Sequence, residues 1–412
     1  MDGSAYMDRE NLPPMQIGSV VSEIPEAESI FINQMVYDLT RSGEDVTCLS
    51  LGEAFFDIPL FDVKALDITK SYHYSDSRGL PELRDKIAEF YTRHYNAPVD
   101  GDKEILISAG SKPIIFMALL TALNTDDEIL IHEPAWVSYQ EQARLARVVP
   151  KFIPYDCPCA DFARYITPKT KMVIINNPNN PAGKLYSREE LTTVYEICRS
   201  RGIYLMVDEA YSDFVINQGF ISLAEIVPDK DGIIIVNSLS KNMGISGWRI
   251  GYAISSPTFI DMLLKVNQHV ITCAPTILLQ YVAKYFDDLL KITLPQVEEV
   301  VHRRERVGKM MDRLGIERLD GGTTFYFFAG IGNFPGTSRD FALWLLLDKK
   351  IAVVPGSAYG DSTDRFVRVS IGTESEERIW DALNHISALG GTNQFDHEAL
   401  ARRVERFNKR YR

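Results

Sequence analysis

From about residue 80 onward, short and purely apolar runs alternate with helical patterns, and this alternation constrains the fold more than any other feature of the chain. The runs EILIS (104–108), EILIHE (128–133), KMVIINN (171–177), YLMVDE (204–209), GIIIVNS (232–238) and RIGYAIS (249–255) read as strands. They lack an in–out alternation, so both of their faces must be covered. Between them lie amphipathic helices. LPELRDKIAEFYTRHY places Leu80, Leu83, Ile87 and Tyr91 on one face, and a second helix is expected from Ser111 to about Leu123. SREELTTVYEICRSRG opens on a Ser187–Glu190 capping box, carries the stripe Leu191, Val194, Tyr195 and Cys198, and stops at Gly202. The pattern predicts an α/β fold with a mostly parallel central sheet flanked by helices. In such sheets the chemistry sits at the carboxyl ends of the strands.

A chain of 412 residues is too long for one ordinary core. After about residue 306 the signals change. FYFFAG and RFVRVSIG look like strands, SRDFALWLLLDKK looks like a helix, and the mixture suggests a smaller α+β domain. The expected division is a large domain over 50–305 and a small one formed by 1–49 with 306–412.

The formal net charge of −12 argues against nucleic acid or an anionic membrane as the main partner, because both need a basic surface. No apolar stretch is long enough to span a bilayer, and the start, MDGSAYMDRENLPPMQ, lacks the pattern of a secretory signal. Five cysteines form an odd, irregular set. Cys157-Pro-Cys159 is one residue short of CxxC and has no second pair, so neither a zinc site nor a disulfide framework is expected. Free thiols in a reducing cytoplasm are the simpler reading. At the C-terminus, Leu400, Val404, Phe407 and Tyr411 make a helical stripe opposite many basic residues. Such a helix can lie on a membrane, but docking on its own protein is the expectation.

Four segments carry chemistry. In NSLSKNMGISGWRIGY (237–252) a strand ends on Ser238, Ser240 and Lys241, with Arg249 eight residues beyond the lysine. A lysine crowded by cations has a depressed pKa and serves as an amine nucleophile, while hydroxyls and an arginine suit a phosphate dianion. VDEAYSDF (207–214) puts Asp208 at a strand end and Tyr211 three residues on. A buried carboxylate there would keep a heterocyclic nitrogen protonated, and a phenol would bond a ring oxygen. Read alone, Asp208 is equally a helix N-cap, and Lys241 alone a surface charge. SAGSKP (108–113) places Gly110, Ser111 and Lys112 before a helix whose first residue is expected to be Pro113, a terminus suited to phosphate. NNPNNPAG (176–183) reads as a loop closing a strand.

In order, Gly-Ser-Lys, EPAW, NNPNNPAG, VDEAY, SLSK with Arg249, and RVSIG resemble the fold-type I pyridoxal 5'-phosphate (PLP) enzymes, specifically the class I/II aminotransferase family, from roughly residue 30 to 390. The resemblance implies PLP as cofactor, and amino acids with 2-oxo acids as substrates. It makes Lys241 the Schiff-base lysine, Asp208 the partner of the pyridinium nitrogen, and Tyr211 and Asn180 the partners of the ring oxygen. Trp136 becomes the ring's stacking aromatic, and Gly110, Ser111, Lys112, Ser238 and Arg249 the phosphate cup. Tyr74, in YHYSDSRGLPELR, corresponds to a tyrosine that reaches the neighbouring subunit's phosphate, which implies a homodimer. Arg368 corresponds to the clamp on the substrate α-carboxylate, and Gly52 to a glycine of the loop over the substrate. Asn180 and Trp136 also border the substrate.

The chain departs from the family's pattern at Pro113, where Gln is common, and at two places nearer the substrate. Ala54 and Phe55 stand where Pro-Asp is usual, and Thr323 and Thr324 stand at the Gly-Ala positions of the PxGAFY segment. Both lie near the expected side-chain pocket of Phe55, Phe56, Thr324 and Phe325. They leave open another PLP reaction on an α-amino acid: elimination, cyclisation or oxidation. A non-catalytic PLP-sensing regulator would need an appended DNA-binding domain, for which the acidic N-terminal stretch offers no room.

Overall fold

The computed structural model describes residues 15–215 and 219–411. The reading of the first 14 residues and the side chain of Tyr411 lie outside what it describes.

The strands run in chain order as β1 Thr47–Cys48, β2 Ile105–Ser108, β3 Glu128–His132, β4 Val149–Ile153, β5 Thr170–Asn176, β6 Tyr204–Asp208, β7 Ile233–Ser238, β8 Gly251–Ser255, β9 Tyr326–Gly330, β10 Ile351–Ala352, β11 Val354–Pro355 and β12 Phe366–Ser370. Seven of them form one sheet in the order β2-β8-β7-β6-β5-β3-β4. The pairs β3–β4, β3–β5, β5–β6 and β6–β7 are parallel, whereas β8 runs antiparallel to both β7 and β2. The sheet is therefore mostly parallel, with β8 as the reversed strand.

Alternate residues of each strand enter opposite cores. Ile105, Ile107, Leu130, Val173, Ile175, Leu205, Val207, Ile233 and Ile235 share one cluster with Leu83, Ile87, Tyr91, Leu191 and Val194 of the two amphipathic helices. Leu106, Ile129, Ile131, Met172, Ile174, Met206, Ile234 and Val236 share the other with Ile114, Ile115 and Leu119. Each strand keeps its period of two, but both faces are dry, which is why the runs are continuously apolar.

The antiparallel sheet β11-β12-β9 and the parallel pair β1–β10 stand apart from the large sheet. Their core gathers Phe325, Phe327, Val367, Val369, Ile379 and Leu383. The helix Thr276–Arg313 belongs to both bodies: Leu279 to Leu290 pack on the large sheet's core, and Val297 to Met311 on the small one. The C-terminal helix His397–Tyr411 buries Leu400 and Phe407 in one core with Ile32, Met35, Leu39 and Leu346, so these two residues of its apolar stripe are covered by their own chain.

Most helix limits follow the sequence. The Ser187–Glu190 capping box is present, with both reciprocal hydrogen bonds. One assignment is corrected: the helix Ser111–Ala122 begins at Ser111, which puts Pro113 third rather than first. The first-turn N–H groups have no intrahelical acceptor, so a proline without one is tolerated anywhere in that turn. The N–H groups of Ser111 and Lys112 thereby stay at the open end of the helix. No described helix is long and apolar enough to cross a membrane. The five cysteines are free, and the described residues hold no metal-binding cluster.

Candidate active site

The parallel strands β5, β6 and β7 end side by side on Asn176, Asp208 and Ser238, and a cavity of about 580 Å³ opens beyond them. Asn176 and Asp208 are in register. Asn176 donates its amide to the Asp208 carbonyl at 2.8 Å, and its Oδ1 accepts the Asn180 N–H at 2.6 Å. Asn179 accepts the Ala182 N–H and donates to the Pro134 carbonyl, both at 2.9 Å. The Pro/Asn turn is thus held by its own side chains, and Asn180 faces the cavity.

Asp208 is buried at the cavity wall. Its Oδ2 accepts from the Tyr139 hydroxyl at 2.7 Å and its Oδ1 from the Ala210 N–H at 3.0 Å. Burial raises its pKa, while these bonds and the Lys241 charge pull the other way. Three residues on, Tyr211 places its hydroxyl 2.9 Å from that of Tyr326, and Asn180 donates to it at 3.4 Å.

Lys241 sits on the short helix Leu239–Asn242, directly after β7. Its Nζ donates to the Gly52 carbonyl at 2.5 Å. Burial pushes its pKa down to about 8; Arg368 and Arg249 add to that, and Glu53 and Asp208 oppose it. A buried amine with so low a pKa has a sizeable neutral fraction near neutral pH and is a competent nucleophile.

At another wall stand Ser111, Lys112, Ser238, Ser240 and Arg249. Arg249 takes a left-handed backbone (φ 57°) and donates to the Ser246 carbonyl at 2.8 Å. Gly110 caps the helix behind it with φ 94°, and a Cβ there would lie 2.5 Å from the Arg249 guanidinium. Only glycine lets that guanidinium lie over the helix terminus. Lys112 stands 5.1 Å over the Trp136 ring, and burial, then Arg249, lowers its pKa. Two cations, hydroxyls and a helix N-terminus together form an anion cradle.

Arg368, on β12, is buried, donating to the Ser50 carbonyl at 2.7 Å and to Asn180 Oδ1 at 3.3 Å. It lies 4.5 Å over the Tyr326 ring and 5.5 Å from that of Tyr359, and its Nε has no partner. A buried guanidinium bonded only to neutral oxygens is matched by a carboxylate.

Of the residues picked from the sequence, Ser111, Lys112, Trp136, Asn180, Asp208, Tyr211, Ser238, Lys241 and Arg249 line this one cavity. Gly110, Gly52 and Arg368 touch lining residues. Tyr74 does not join them and is 86% exposed. The expected side-chain pocket differs more. Thr324 and Phe325 are fully buried, Phe325 in the second core, and Phe55 is 66% exposed. Glu53, which accepts the Ser246 hydroxyl at 2.7 Å, lines the cavity instead. Sequence reasoning also passed over Tyr139, Asn176 and Tyr326. Tyr139 had a signal: it stands three residues after Trp136 in the same PAWVSY segment.

The family model for aminotransferase class I and II matches residues 35–386. An aspartate aminotransferase of Thermotoga maritima is 32% identical over 375 residues, covering 89% of this chain and 97% of that protein. A (5-formylfuran-3-yl)methyl phosphate transaminase of Methanocaldococcus jannaschii is also 32% identical, over 87% of this chain and 95% of its own. The structure of Thermus thermophilus aspartate aminotransferase with maleate superposes with a TM-score of 0.84 at 25% identity, covering 91% of this chain and all of that one. With the family model spanning all three sheets and the strand-end cavity between residues 35 and 386, the chain belongs to the class I and II aminotransferases.

Proposed function

We propose that this protein is a PLP-dependent aminotransferase that moves an amino group from an L-α-amino acid to a 2-oxo acid, with Lys241 as the residue that bonds the cofactor. Family membership implies PLP, and the residues present fit it. One observation carries the reading: a single cavity holds a buried amine of lowered pKa, a buried carboxylate and an anion cradle. The amine suits an aldehyde, the carboxylate a pyridinium nitrogen, and the cradle a phosphate dianion.

When bound, PLP supplies the electron sink that makes the substrate Cα–H bond acidic. Asp208 would hold the proton on the ring nitrogen, and Tyr139 and the Ala210 N–H keep that carboxylate aimed. Tyr211 and Asn180 would bond the ring oxygen, and Trp136 would cover the ring. Gly110, Ser111, Lys112, Ser238 and Arg249 would hold the phosphate. Lys241, once free, would move the proton from the substrate Cα to the cofactor carbon C4'. Acid–base help of this kind is worth about 10²–10⁴ in rate. Arg368 would bind the α-carboxylate and fix which Cα bond is aligned to break, with Gly52 on the loop beside it. Residues 50–305 would form the cofactor-binding domain, and 1–49 with 306–412 the second domain.

Incubation with a panel of amino acids and either 2-oxoglutarate or pyruvate tests the reaction. A new amino acid formed only with the acceptor is the expected result. Ammonia or a lyase product without acceptor would reassign the reaction, and no turnover across the panel would overturn it.

Arg368→Ala should keep its cofactor but lose kcat/KM by about 10²-fold or more for every amino acid, the worth of a desolvated, charge-assisted carboxylate contact. Unchanged kinetics would place the carboxylate elsewhere.

The working unit would be a homodimer in which Tyr74 reaches the phosphate of the neighbouring site. Its side chain is 86% exposed, next to the exposed Tyr72. Mixing Lys241→Ala with Tyr74→Ala subunits should create heterodimers with one doubly damaged and one intact site, so activity should rise well above either parent. No gain after proven subunit exchange, or a fully active monomer in sedimentation, would refute the shared site.

A further inference from the structure

We infer that Tyr326 is a positioning residue that ties the phenol of Tyr211 to the guanidinium of Arg368, so that cofactor protonation and carboxylate binding depend on one side chain. The inference rests on the function proposed above; Tyr326 stands at the Tyr position of the PxGAFY segment, to which the resemblance assigned no role.

Strand register explains how one residue reaches both. Tyr326 pairs with Ser370 and Phe328 with Arg368 across the antiparallel β9–β12 ladder. Tyr326 and Arg368 are thus diagonal neighbours on one face, within reach for long side chains. The guanidinium lies 4.5 Å over the Tyr326 ring. The backbone at this point is fixed from two sides. The Tyr326 N–H donates to Thr324 Oγ1 at 3.2 Å, and the buried Arg304 donates from Nε to the Tyr326 carbonyl at 3.1 Å. Thr324 itself takes a left-handed backbone, φ 63°, which a β-branched residue rarely adopts. A strained residue held in place two positions before Tyr326 points to a geometric demand on this turn.

The hydroxyl of Tyr326 then meets the catalytic groups. It lies 2.9 Å from the Tyr211 hydroxyl. It also packs against Gly52, where an added Cβ would come within 3.2 Å of it. The Gly52 carbonyl in turn accepts from Lys241 Nζ.

Proton bookkeeping gives the pair a direction. Each phenol has one proton. Burial raises the pKa of both phenols and the Arg368 charge opposes it in both, but the guanidinium lies directly over the Tyr326 ring, which makes that phenol the more natural donor. With Tyr326 donating and the Asn180 amide also donating, the Tyr211 oxygen is satisfied as an acceptor. Its own proton is left free to point into the cavity it lines. A donor that itself accepts hydrogen bonds is the stronger donor. Tyr326 therefore strengthens the bond that Tyr211 gives to the ring oxygen, and that bond favours the ionised oxygen.

Two variants separate the two halves of this role. Tyr326→Phe keeps the ring under Arg368 and removes the hydroxyl; Tyr326→Leu removes both. In the holoenzyme without substrate, the pH midpoint of the cofactor's visible absorbance should rise in Tyr326→Phe by roughly 0.4–1 pH unit, the equivalent of one hydrogen bond. Its KM for the amino donor should not change. In Tyr326→Leu the same spectral shift should come with a KM higher by about 2- to 30-fold, the range of a cation–π contact. An unshifted midpoint in Tyr326→Phe overturns the link to Tyr211, and a KM already raised in that variant overturns the ring–cation link. If Tyr326→Leu does not fold, Tyr326→Phe decides alone through these two readings. Failure of the functional reading looks different: wild-type protein would then take up no PLP, or carry it on a residue other than Lys241.

Discussion

Replacing Lys241 with alanine is expected to lower turnover by at least about 10⁴-fold, because one change removes both the covalent anchor and the acid–base group. The wild-type holoenzyme should be yellow, and borohydride should bleach it and leave the pyridoxyl label on the Lys241 peptide. Label on any other peptide would refute the assignment. The burial of this lysine adds a pH signature. The neutral amine is the nucleophile, and it dominates above the pKa. With that pKa pushed down to about 8 by burial, the rate of PLP uptake by the apoprotein should rise with pH and level off a little above 8. A rate still climbing steeply near pH 10 would mean an ordinary, solvated lysine.

Asp208→Ala should bind PLP weakly and lose turnover by about 10³-fold, since removing one partner of a buried charge pair costs about 3–5 kcal/mol and each ~1.4 kcal/mol is a factor of ten in rate. Asp208 also accepts bonds from Tyr139 and from the Ala210 N–H, so the alanine variant disturbs packing as well as charge. Asp208→Asn keeps the shape and removes only the charge. It should show nearly the same loss of turnover with the melting temperature little changed. Near wild-type kcat in Asp208→Asn would mean that another group protonates the ring nitrogen.

Both predictions rest on residues that the sequence placed well. Asp208 and Ser238 close apolar runs, and a run that ends on a polar residue marks where a strand leaves the core. Lys241 follows within one short helix. Such positions are encoded by neighbouring residues and so can be read without a partner. The edge strand β4 and the direction of β8 were harder to read. β4 has the sequence VPKFI and only its last residue is buried; proline and lysine suit a sheet edge but hide the apolar signal. β8 looked like its neighbours, and nothing within RIGYAIS revealed that it runs against them.

By itself, the sequence determined the alternation of covered strands with amphipathic helices, the capping box at Ser187 and the strand ends that carry Asn176, Asp208 and Ser238. These follow from period, propensity and hydrogen-bond chemistry within about a dozen contiguous residues. Tertiary structure alone decided which distant groups meet. Gly52 accepts from Lys241 across 189 positions, Arg368 reaches Asn180 across 188, Tyr326 meets Tyr211 across 115, and Tyr139 meets Asp208 across 69. It also decided that Thr324 and Phe325 are fully buried, Phe325 in a core, and that Leu400 and Phe407 of the C-terminal stripe share a core with Ile32, Met35 and Leu39 of the helix Glu28–Arg41. The reason is physical. Local pattern fixes which face of an element is apolar, but which other face covers it is set by packing of the whole chain, and only packing creates the desolvation that lowers the pKa of Lys241 and raises that of Asp208.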